Sequence, residues 1–461
     1  MPTLVKINLH NGYAELASPS LELEELIRDV VSYDEREYVP YRNTYVVTRK
    51  SLVDREGRFP PGCVELLPAV LGSEYDVQVN DYRARPTPKI YEPAWDHLPA
   101  DLTPFQFQRD AALTVLKKGM GIIKADVGAG KSLIVGMIVA AMPIRWVVLV
   151  HRDNLVQDLS TLFTKLGIEH VTHTSKRRRT AEVTIATYSS ARDPKVAAAL
   201  VGGAQGIIVD ESHTVAADTH IAVVHAARNA FYRIGLSGTP LDRSDTRNII
   251  AIGELGPIVY NIKPQALVAM GRTVAAQVKM LTYKHRISKK VEYNAIYREA
   301  IVNNRERNLL VLEAIKAARK PCMVFFTQID QLHNVKALAQ KHAPELQVGA
   351  VWGESTQEER DLMQSLARQE SGLDVILTNV VFQEGVNIPN LGSVVIAGAG
   401  KAMIQIVQRL GRGVRSSSGK GDFELWDIHD QELEMFHKQA MARIRIYRKR
   451  GYEPQYVELK V

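Results

Sequence analysis

Short apolar runs alternate with helix-like patterns through most of the chain. From about residue 97 to 265, runs rich in valine and isoleucine are each followed by a stretch with helical periodicity. The runs are GIIKA, WVVLVH, VTIAT, GIIVDE and RIGLSGT. Such alternation is typical of β-α-β units, in which a parallel sheet carries helices on both faces.

The alternation restarts after a helical stretch at about 275–315. The second set of runs is MVFFT, LQVGAVW, DVILT, SVVIAG and FELWDI, which predicts a second α/β lobe in series with the first. Residues 1 to about 85 differ, because short alternating runs at Thr44–Thr48 and Tyr75–Val79 accompany one helical stretch, Leu21–Val31. They end in the proline-rich connector RARPTPKIYEPAWDHLP, which marks a domain boundary.

The predicted fold class is therefore α/β, with two parallel-sheet lobes in tandem behind a small N-terminal α+β domain. We expect an accessory domain at 1–95, a first lobe at 96–270, a helical linker at 271–310 and a second lobe at 311–461. The 461 residues are enough for several domains of ordinary size.

Composition narrows the class of protein. The apolar fraction of 46% and the charged fraction of 24% are those of an ordinary globular chain. Two cysteines, Cys63 and Cys322, cannot form a disulfide framework or a four-ligand zinc site, which indicates a reduced intracellular protein. The sequence shows no signal-peptide pattern and no uninterrupted membrane-spanning run, so we expect a cytoplasmic protein without a membrane partner.

The net charge of +7 is unevenly distributed. Residues 1–100 hold 11 lysine and arginine residues against 16 aspartate and glutamate residues, whereas the other 361 hold 47 against 35. The positive charge of residues 101–461 points weakly to a polyanionic partner, although on charge alone an ordinary solvated surface is favoured.

The segment Ala125–Ser132 has the pattern of a phosphate-binding loop. Glycines allow backbone N–H groups to surround phosphates, Lys131 reaches the β and γ oxygens, and the Ser132 hydroxyl is a Mg²⁺ ligand. Ala125 stands where GxxxxGK[ST] usually begins with glycine. A chance glycine-rich turn is disfavoured, because a strand precedes the loop and a helix opens near Ser132. The residues expected to hold ATP are Gly128, Ala129, Gly130, Lys131 and Ser132.

Asp210 and Glu211 follow the run GIIV. An aspartate at the carboxyl end of a strand can hold Mg²⁺, and an adjacent glutamate can orient or deprotonate the attacking water. Alone, such a pair is more often a solvated loop. Behind a phosphate-binding loop, it indicates Mg²⁺-dependent hydrolysis of ATP.

With His213, these residues resemble the DExH motif of the superfamily 2 helicases, and residues 100–430 carry further motifs of that family in order. In the first lobe, the matches are Gln108 for adenine, His151 and Arg152 in motif Ia, Thr187 and Ser190 in a TxxS element, and Ser237, Gly238 and Thr239 in motif III. In the second lobe, they are Phe325, Phe326 and Thr327 in motif IV, Thr378, Gly385 and Asn387 in motif V, and Gln408, Arg412 and Arg415 in motif VI.

The resemblance implies two RecA-like lobes and a role for each matching residue. Catalysis would fall to Lys131, Asp210, Glu211, Arg412 and Arg415, with Gly385 and Asn387 added to the ATP site. Coupling would involve His213, Ser237, Thr239 and Gln408, and nucleic-acid contacts would come from Arg152, Thr187, Ser190, Thr327 and Thr378. Two positions depart from the family pattern: Gly238, where motif III more often has alanine, and Asn387, where motif V usually has aspartate.

The chemistry of phosphoryl transfer also gives a physical reason for a role of Arg412 and Arg415 in catalysis. The γ-phosphate needs charge neutralisation, and the first lobe supplies only Lys131 and Mg²⁺. Arg412 and Arg415, in the second lobe, would supply this charge as arginine fingers. Hydrolysis would then require the lobes to close, so that ATP controls the spacing of the lobes. The alternative is a basic helix face.

Within the superfamily, three features resemble phage recombination helicases and, more distantly, the excision-repair translocases: the small N-terminal domain, the segment Asn303–Asn308 and the tail YRKRGYE. That resemblance implies a monomeric DNA translocase that remodels branched duplexes beside replication or recombination proteins, in the host cytoplasm. The N-terminal domain would be either a reader of DNA shape or a structural cap, with candidate contacts at Arg42, Arg49, Arg55 and Arg58. An RNA helicase, a restriction-type motor subunit and a non-hydrolysing clamp remain alternatives.

Overall fold

The structure is a computed structural model. It describes residues 2–39, 44–86, 102–126, 128–176, 179–241, 247–263, 266–267, 276–285, 292–369, 372–379, 391–400, 403, 423–449 and 451–459. The chain divides into two compact units, Met1–Ile262 and Lys263–Val461, and each is described by itself.

The first unit begins with a small α+β domain. Its elements are strands β1 (Thr3–Leu9), β2 (Ala14–Leu16), β3 (Ser32–Val39), β4 (Thr44–Ser51) and β5 (Tyr75–Asp81), helices α1 (Leu21–Val30) and α2 (Leu67–Leu71), and 3-10 turns at Pro61–Leu66 and Gly72–Glu74. The sheet order is β2-β1-β5, with β1 antiparallel to β2 and parallel to β5. Strands β3 and β4 form a separate antiparallel hairpin.

Local chemistry explains why α1 forms. The Ser20 hydroxyl accepts a hydrogen bond from the backbone N–H of Leu23 at 3.3 Å, Glu22 and Glu24 lie in the first turn, and Arg28 lies in the last. A side-chain cap and charges that complement the helix dipole stabilise a short helix. The predicted helix at 21–31 is therefore present.

The rest of the first unit is lobe 1. Its strands are β6 (Met120–Ala125), β7 (Trp146–Val150), β8 (Val171–His173), β9 (Val183–Thr187), β10 (Gly206–Asp210), β11 (Tyr232–Ser237) and β12 (Ile258–Ile262). Its helices are α3 (Gln106–Lys118), α4 (Lys131–Ala141), α5 (Asp153–Lys165), α6 (Pro194–Val201), α7 (Asp218–His225) and α8 (Asn248–Leu255), with 3-10 turns at Tyr188–Ala191 and Ser212–Thr214.

The seven strands of lobe 1 are all parallel, in the order β12-β6-β11-β10-β7-β9-β8. Every residue of β7 and β11 is buried, as expected for central strands covered by helices on both faces. Because the strands are parallel, their carboxyl ends lie at one edge of the sheet, and the predicted α/β lobe is confirmed.

The N-terminal domain packs directly on helix α8. A Cβ atom added at Gly62 would lie 2.1 Å from the carbonyl oxygen of Ile252, and one added at Gly253 would lie 3.0 Å from the Cys63 sulfur. Ile249 packs against the apolar core of the N-terminal domain, and the Asn11 amide donates to the carbonyl of Asn229 at 2.9 Å. The domain therefore shares a continuous interior with lobe 1.

The second unit is a second α/β lobe. Its strands are β13 (Ala276–Lys284), β14 (Cys322–Phe326), β15 (Val348–Val351), β16 (Val375–Asn379), β17 (Ser393–Ile396), β18 (Phe423–Gln431) and β19 (Gln455–Tyr456), and its helices are α9 (Tyr293–Tyr297), α10 (Arg305–Ala317), α11 (Ile329–His342), α12 (Gln357–Arg368) and α13 (Glu434–Lys449). The strands are parallel in the order β15-β16-β14-β17-β18-β13-β19. The predicted class of two tandem parallel-sheet lobes is confirmed.

One element differs from the prediction. Residues 276–284 were expected in a helical linker, but they form β13, which pairs with β18 along nine residues. Val278, Met280 and Leu281 are buried in that sheet. The strand was not predicted because polar and apolar residues are mixed along it, while the helical pattern that follows it is strong.

Two buried ion pairs organise the second lobe. The Arg307 guanidinium binds both carboxylate oxygens of Asp430, at 2.7 and 2.9 Å, and Asp430 also contacts His285 at 2.9 Å. Arg443 of α13 binds Asp427 of β18 at 2.8 and 3.0 Å. These arginines are buried, so the basic sequences around residues 307 and 443 face the interior at these two positions.

Replacing Asp430 with asparagine should destabilise the second lobe by about 3–5 kcal/mol, because the buried Arg307 loses its counter-charge. The measurement is urea denaturation of the full chain. Asp330→Asn is the control, since the Asp330–Arg298 pair is 65% and 71% exposed and should contribute less than about 1 kcal/mol. Equal losses in the two variants would contradict a stabilising role for the buried pair.

The same pair predicts a pH dependence. Although burial alone would raise the pKa of the Asp430 carboxyl, Arg307 and His285 hold it well below its usual range. Its contribution is therefore present above the unfolded-state pKa of about 4 and is lost as the pH falls towards the folded-state value. The wild type should lose stability across this acid range more steeply than Asp430→Asn.

Candidate active site

The phosphate-binding loop lies between β6 and α4, as its sequence predicts. Gly128 and Gly130 have φ angles of 88° and 72°, a region that favours glycine. Helix α4 begins at Lys131, and Ser132 is exposed in its first turn. The helix N-terminus and two left-handed glycines create a concave backbone surface with N–H groups available to an anion.

Lys131 and Glu211 meet across this surface. The Lys131 ammonium donates to the Glu211 carboxylate over 3.0 Å, and the two side chains are 14% and 13% exposed. Glu211 itself has a left-handed backbone, with φ at 52° and ψ at 53°. A non-glycine residue rarely adopts this conformation, and its use here directs the carboxylate towards the phosphate-binding lysine.

Asp210 ends β10 immediately before Glu211. Burial raises the pKa of the Asp210 carboxyl above its usual range, while the nearby Lys131 charge lowers it. Its Oδ1 atom is buried and has no hydrogen-bond partner among the described residues. Mg²⁺ prefers oxygen ligands and often takes one or two carboxylates together with substrate phosphates. Asp210 and Ser132 fit this requirement, and in the part of the chain described here no cluster of three His, Cys, Asp or Glu side chains is placed to hold a metal.

Three of the residues predicted to act in coupling, His213, Ser237 and Thr239, form one hydrogen-bonded group with Glu211. The Nδ1 atom of His213 lies 3.1 Å from the Ser237 hydroxyl and 3.3 Å from a Glu211 oxygen. The Ser237 hydroxyl also accepts the backbone N–H of Thr239 at 3.2 Å. The DExH segment and motif III are thus joined directly beside the glutamate.

Gly238 lies close to the phosphate-binding segment. A Cβ atom at position 238 would lie 2.8 Å from a side-chain oxygen of Asp126. An alanine at this position would therefore require the Asp126 side chain to shift.

Gln108 supports the loop from the side of α3. Its amide donates to the Ala129 carbonyl at 2.7 Å, and its carbonyl accepts from the Phe105 backbone at 2.9 Å. The side chain is buried. Both ends of the amide are engaged within the protein, so adenine recognition by Gln108 remains a prediction that requires these bonds to be exchanged.

Three of the predicted nucleic-acid contacts, Thr187, Ser190 and Thr378, are buried. Each hydroxyl is within hydrogen-bond distance of a neighbouring group of the chain. Contact of these residues with nucleic acid stays a prediction, and their hydroxyls would have to exchange these bonds to reach a phosphate. Arg152 and Thr327 are half-buried at the carboxyl ends of β7 and β14, where contact remains a prediction.

Five predicted site residues of the second lobe, Gly385, Asn387, Gln408, Arg412 and Arg415, lie outside the described residues, and so does Arg42 of the N-terminal domain. Of the other N-terminal arginines, Arg49 is paired with Asp29 at 2.8 Å, and Arg58 is paired with Asp54 at 2.9 Å.

Both cysteines are free and buried. No helix in the described parts of the chain has the length and apolar character needed to cross a bilayer.

Sequence reasoning missed one pair at this edge of the sheet. Tyr188 and His220 stack with ring centroids 3.8 Å apart. The residues are 32 positions apart, Tyr188 occupies a variable position of the TxxS element and His220 lies outside every motif, so no sequence pattern indicates their contact.

Two family profiles match the chain. "Type III restriction enzyme, res subunit" matches residues 101–242, and "Helicase conserved C-terminal domain" matches residues 305–417. Together the two matches cover more than half of the chain. The first match lies within the first compact unit, and the second match lies within the second unit. The phosphate-binding loop and the DExH segment lie in the first match.

Three relatives are named as helicases or translocases. "Putative helicase 22" of Sulfolobus islandicus filamentous virus is 26% identical, over 71% of this chain and 63% of its own length. "ATP-dependent DNA helicase uvsW" of Enterobacteria phage T4 is 24% identical, over 71% of this chain and 69% of its own. "DNA 3'-5' translocase XPB2" of Sulfurisphaera tokodaii is 23% identical, over 67% and 78%. The match thus spans somewhat less than two thirds of the first relative.

A solved structure supports the fold alone. The restriction-modification enzyme LlaBIII bound to DNA gives a TM-score of 0.57 at 14% identity, over 77% of this chain and 31% of that one. The tandem parallel-sheet architecture is thus shared with a protein of very different sequence.

Lys131→Ala and Glu211→Gln should both abolish ATP hydrolysis but differ in ATP binding. Lys131 contributes affinity as well as transition-state charge, whereas Glu211 acts on the attacking water, so its amide should leave ATP bound without turnover. Filter binding of radiolabelled ATP and phosphate release test the two effects. Near wild-type turnover in Glu211→Gln would remove Glu211 from the role of base.

Proposed function

The chain belongs to the superfamily 2 helicases, and on this premise we propose that it is an ATP-dependent DNA helicase that remodels branched DNA. Branch migration and fork regression in recombination and repair are the reactions that fit. The observation that carries the proposal is the contact between Lys131 and Glu211, which joins the phosphate-binding loop to a DExH carboxylate within a lobe of the helicase fold.

ATP and Mg²⁺ are the cofactors of this proposal. The N-terminus of α4 would hold the phosphates of ATP, and Ser132 and Asp210 would hold Mg²⁺, which would supply neutralisation of the phosphate charge. Lys131 contacts the β and γ oxygens, and Glu211 orients the water. The family resemblance implies that Arg412 and Arg415 would supply the remaining positive charge.

DNA is favoured over RNA because two of the relatives are named as a DNA helicase and a DNA translocase. The alternatives are an RNA helicase, a restriction-type motor subunit and a non-hydrolysing clamp. The intact Lys131, Asp210 and Glu211 disfavour the clamp, because a clamp has no use for a complete hydrolytic group. Replication or recombination proteins are the partner class that suits branched DNA, and we place the protein in the cytoplasm as a monomer.

The deciding experiment measures ATP hydrolysis with single-stranded, duplex, forked and four-way DNA and with RNA. Forked and four-way DNA should stimulate most, and stimulation should fall steeply with salt, because lysine and arginine contacts to phosphate release counterions. Stimulation by RNA alone would replace DNA with RNA as the substrate. Absence of stimulation by every nucleic acid would contradict the helicase proposal itself.

Arg412→Ala and Arg415→Ala should leave ATP binding largely intact and slow turnover about 10³-fold, because arginine fingers act mainly in the transition state. Arg448→Ala is the control, since this exposed arginine is paired with Glu453 at the surface of the second lobe. Stopped-flow phosphate release separates binding from chemistry. If both motif VI variants turn over at the wild-type rate, the fingers lie elsewhere.

The N-terminal domain is proposed as the reader of branched DNA. Tyr38 and Tyr45 face each other across the β3–β4 hairpin, with ring centroids 5.2 Å apart, and are 48% and 65% exposed. On the same face of the hairpin lie Val47 and the pair of Arg49 with Asp34. Exposed aromatic rings can stack on unpaired bases, which supports a role for this face in contact with branched DNA.

Replacing Tyr38 and Tyr45 together with serine should leave hydrolysis on simple duplex DNA unchanged and reduce the preference for four-way over duplex DNA about tenfold. This follows from stacking energies of about 1–3 kcal/mol per base. Tyr82→Ser is the control, because Tyr82 is 60% exposed in the same domain but lies outside the hairpin. Unwinding of forked and four-way DNA is the measurement. An unchanged preference would favour the structural-cap role.

A further inference from the structure

The TxxS element, Thr187–Ser190, has an outer and an inner face. Ser189 is exposed, whereas Tyr188 is only 2% exposed. The Ser190 hydroxyl donates to the Thr187 carbonyl at 2.6 Å, and Thr187 contacts the Ser189 hydroxyl at 3.0 Å. The element is therefore a tight turn that cannot move its surface without moving the Tyr188 ring.

The Tyr188 ring is joined to the DExH segment through His220. The two rings are nearly parallel, with an angle of 11° and centroids 3.8 Å apart. The Nδ1 atom of His220, in helix α7, donates to the Thr214 carbonyl at 3.0 Å. Thr214 ends the 3-10 turn Ser212–Thr214, which follows Glu211 directly.

Tyr188 also lies within the electrostatic field of Asp210. Burial and then the Asp210 charge raise the pKa of the Tyr188 phenol. The Tyr188 hydroxyl and the Asp210 Oδ1 atom are both buried without hydrogen-bond partners in the described residues. Strand β7 separates β9 from β10, and His151 at its end has a buried, unpartnered Nδ1 atom of the same kind. These polar atoms cluster where the strands that carry motif Ia, the TxxS element and the DExH segment end.

We propose that the stacked pair of Tyr188 and His220 is a positioning device, which transmits nucleic-acid binding at the Thr187–Ser190 turn to Asp210 and Glu211. The inference rests on the proposed function, since it concerns stimulation of hydrolysis by nucleic acid. Close-packed interiors shift between discrete arrangements, so displacement of the turn moves the Tyr188 ring, the His220 ring and then the turn that follows Glu211. Neither residue touches ATP in this scheme, and both act through the DExH carboxylates.

The test uses the full chain with His220→Ala, Tyr188→Leu and the double variant. Hydrolysis is measured without nucleic acid and against increasing four-way DNA, together with KM for ATP. Basal turnover and KM should stay within about twofold of wild type, while maximal stimulation falls about tenfold, within the usual range of coupling between sites. The double variant should match the single variants, because either substitution breaks the same link.

Two controls separate coupling from general damage. Phe163→Leu removes a buried aromatic ring of lobe 1 in helix α5, and it should keep the wild-type ratio of stimulated to basal turnover even if stability falls. Tyr188→Phe keeps the ring and should retain most of the stimulation. If Tyr188→Leu does not fold, His220→Ala and Tyr188→Phe decide.

Three outcomes would overturn the inference: wild-type stimulation in His220→Ala, an equal fall in basal and stimulated turnover, or additive losses in the double variant. Loss of stimulation in Tyr188→Phe as complete as in Tyr188→Leu would also overturn it, since the stack would then be irrelevant. Failure of the proposed function is a distinct result, because it would appear as absent stimulation in the wild-type protein.

Discussion

Parallel strand pairing is the constraint on which the rest of the structure depends. When every strand of a sheet runs in one direction, the loops that follow the strands meet at one edge. In lobe 1 this edge receives the phosphate-binding loop after β6, the DExH segment after β10 and motif III after β11. Residues far apart in sequence thereby become hydrogen-bonded neighbours, and the contact between Lys131 and Glu211, which are 80 positions apart, is the most direct example.

The two lobes and the residues predicted to bind ATP could be inferred from the sequence, because each produces a pattern within a short segment of the chain. Strands buried on both faces appear as continuous apolar runs, and the phosphate-binding loop appears as a fixed spacing of glycine, lysine and serine. The strand β13 could not be predicted in the same way, because its place depends on a partner strand almost 150 residues later. The inward orientation of Thr187, Ser190 and Thr378 was also hidden, since a motif specifies residue type and does not specify the direction of a hydroxyl.

The burial of charged side chains could not be predicted from the sequence either. Arg307 and Arg443 occur in basic segments whose sequence suggests a surface, yet each is enclosed with an aspartate from β18. The energetic reason is that a buried guanidinium requires a fully matched counter-charge, which only the tertiary structure supplies.

The contact between the N-terminal domain and helix α8 has a mechanical consequence. Gly62 and Gly253 allow the backbones to approach without intervening side chains, and Arg247 lies 5.5 Å from the centre of the Tyr33 ring at the base of the hairpin. Such a joint has little compliance. A force applied to the hairpin would therefore be transmitted through this contact to the lobe that holds the phosphate-binding loop.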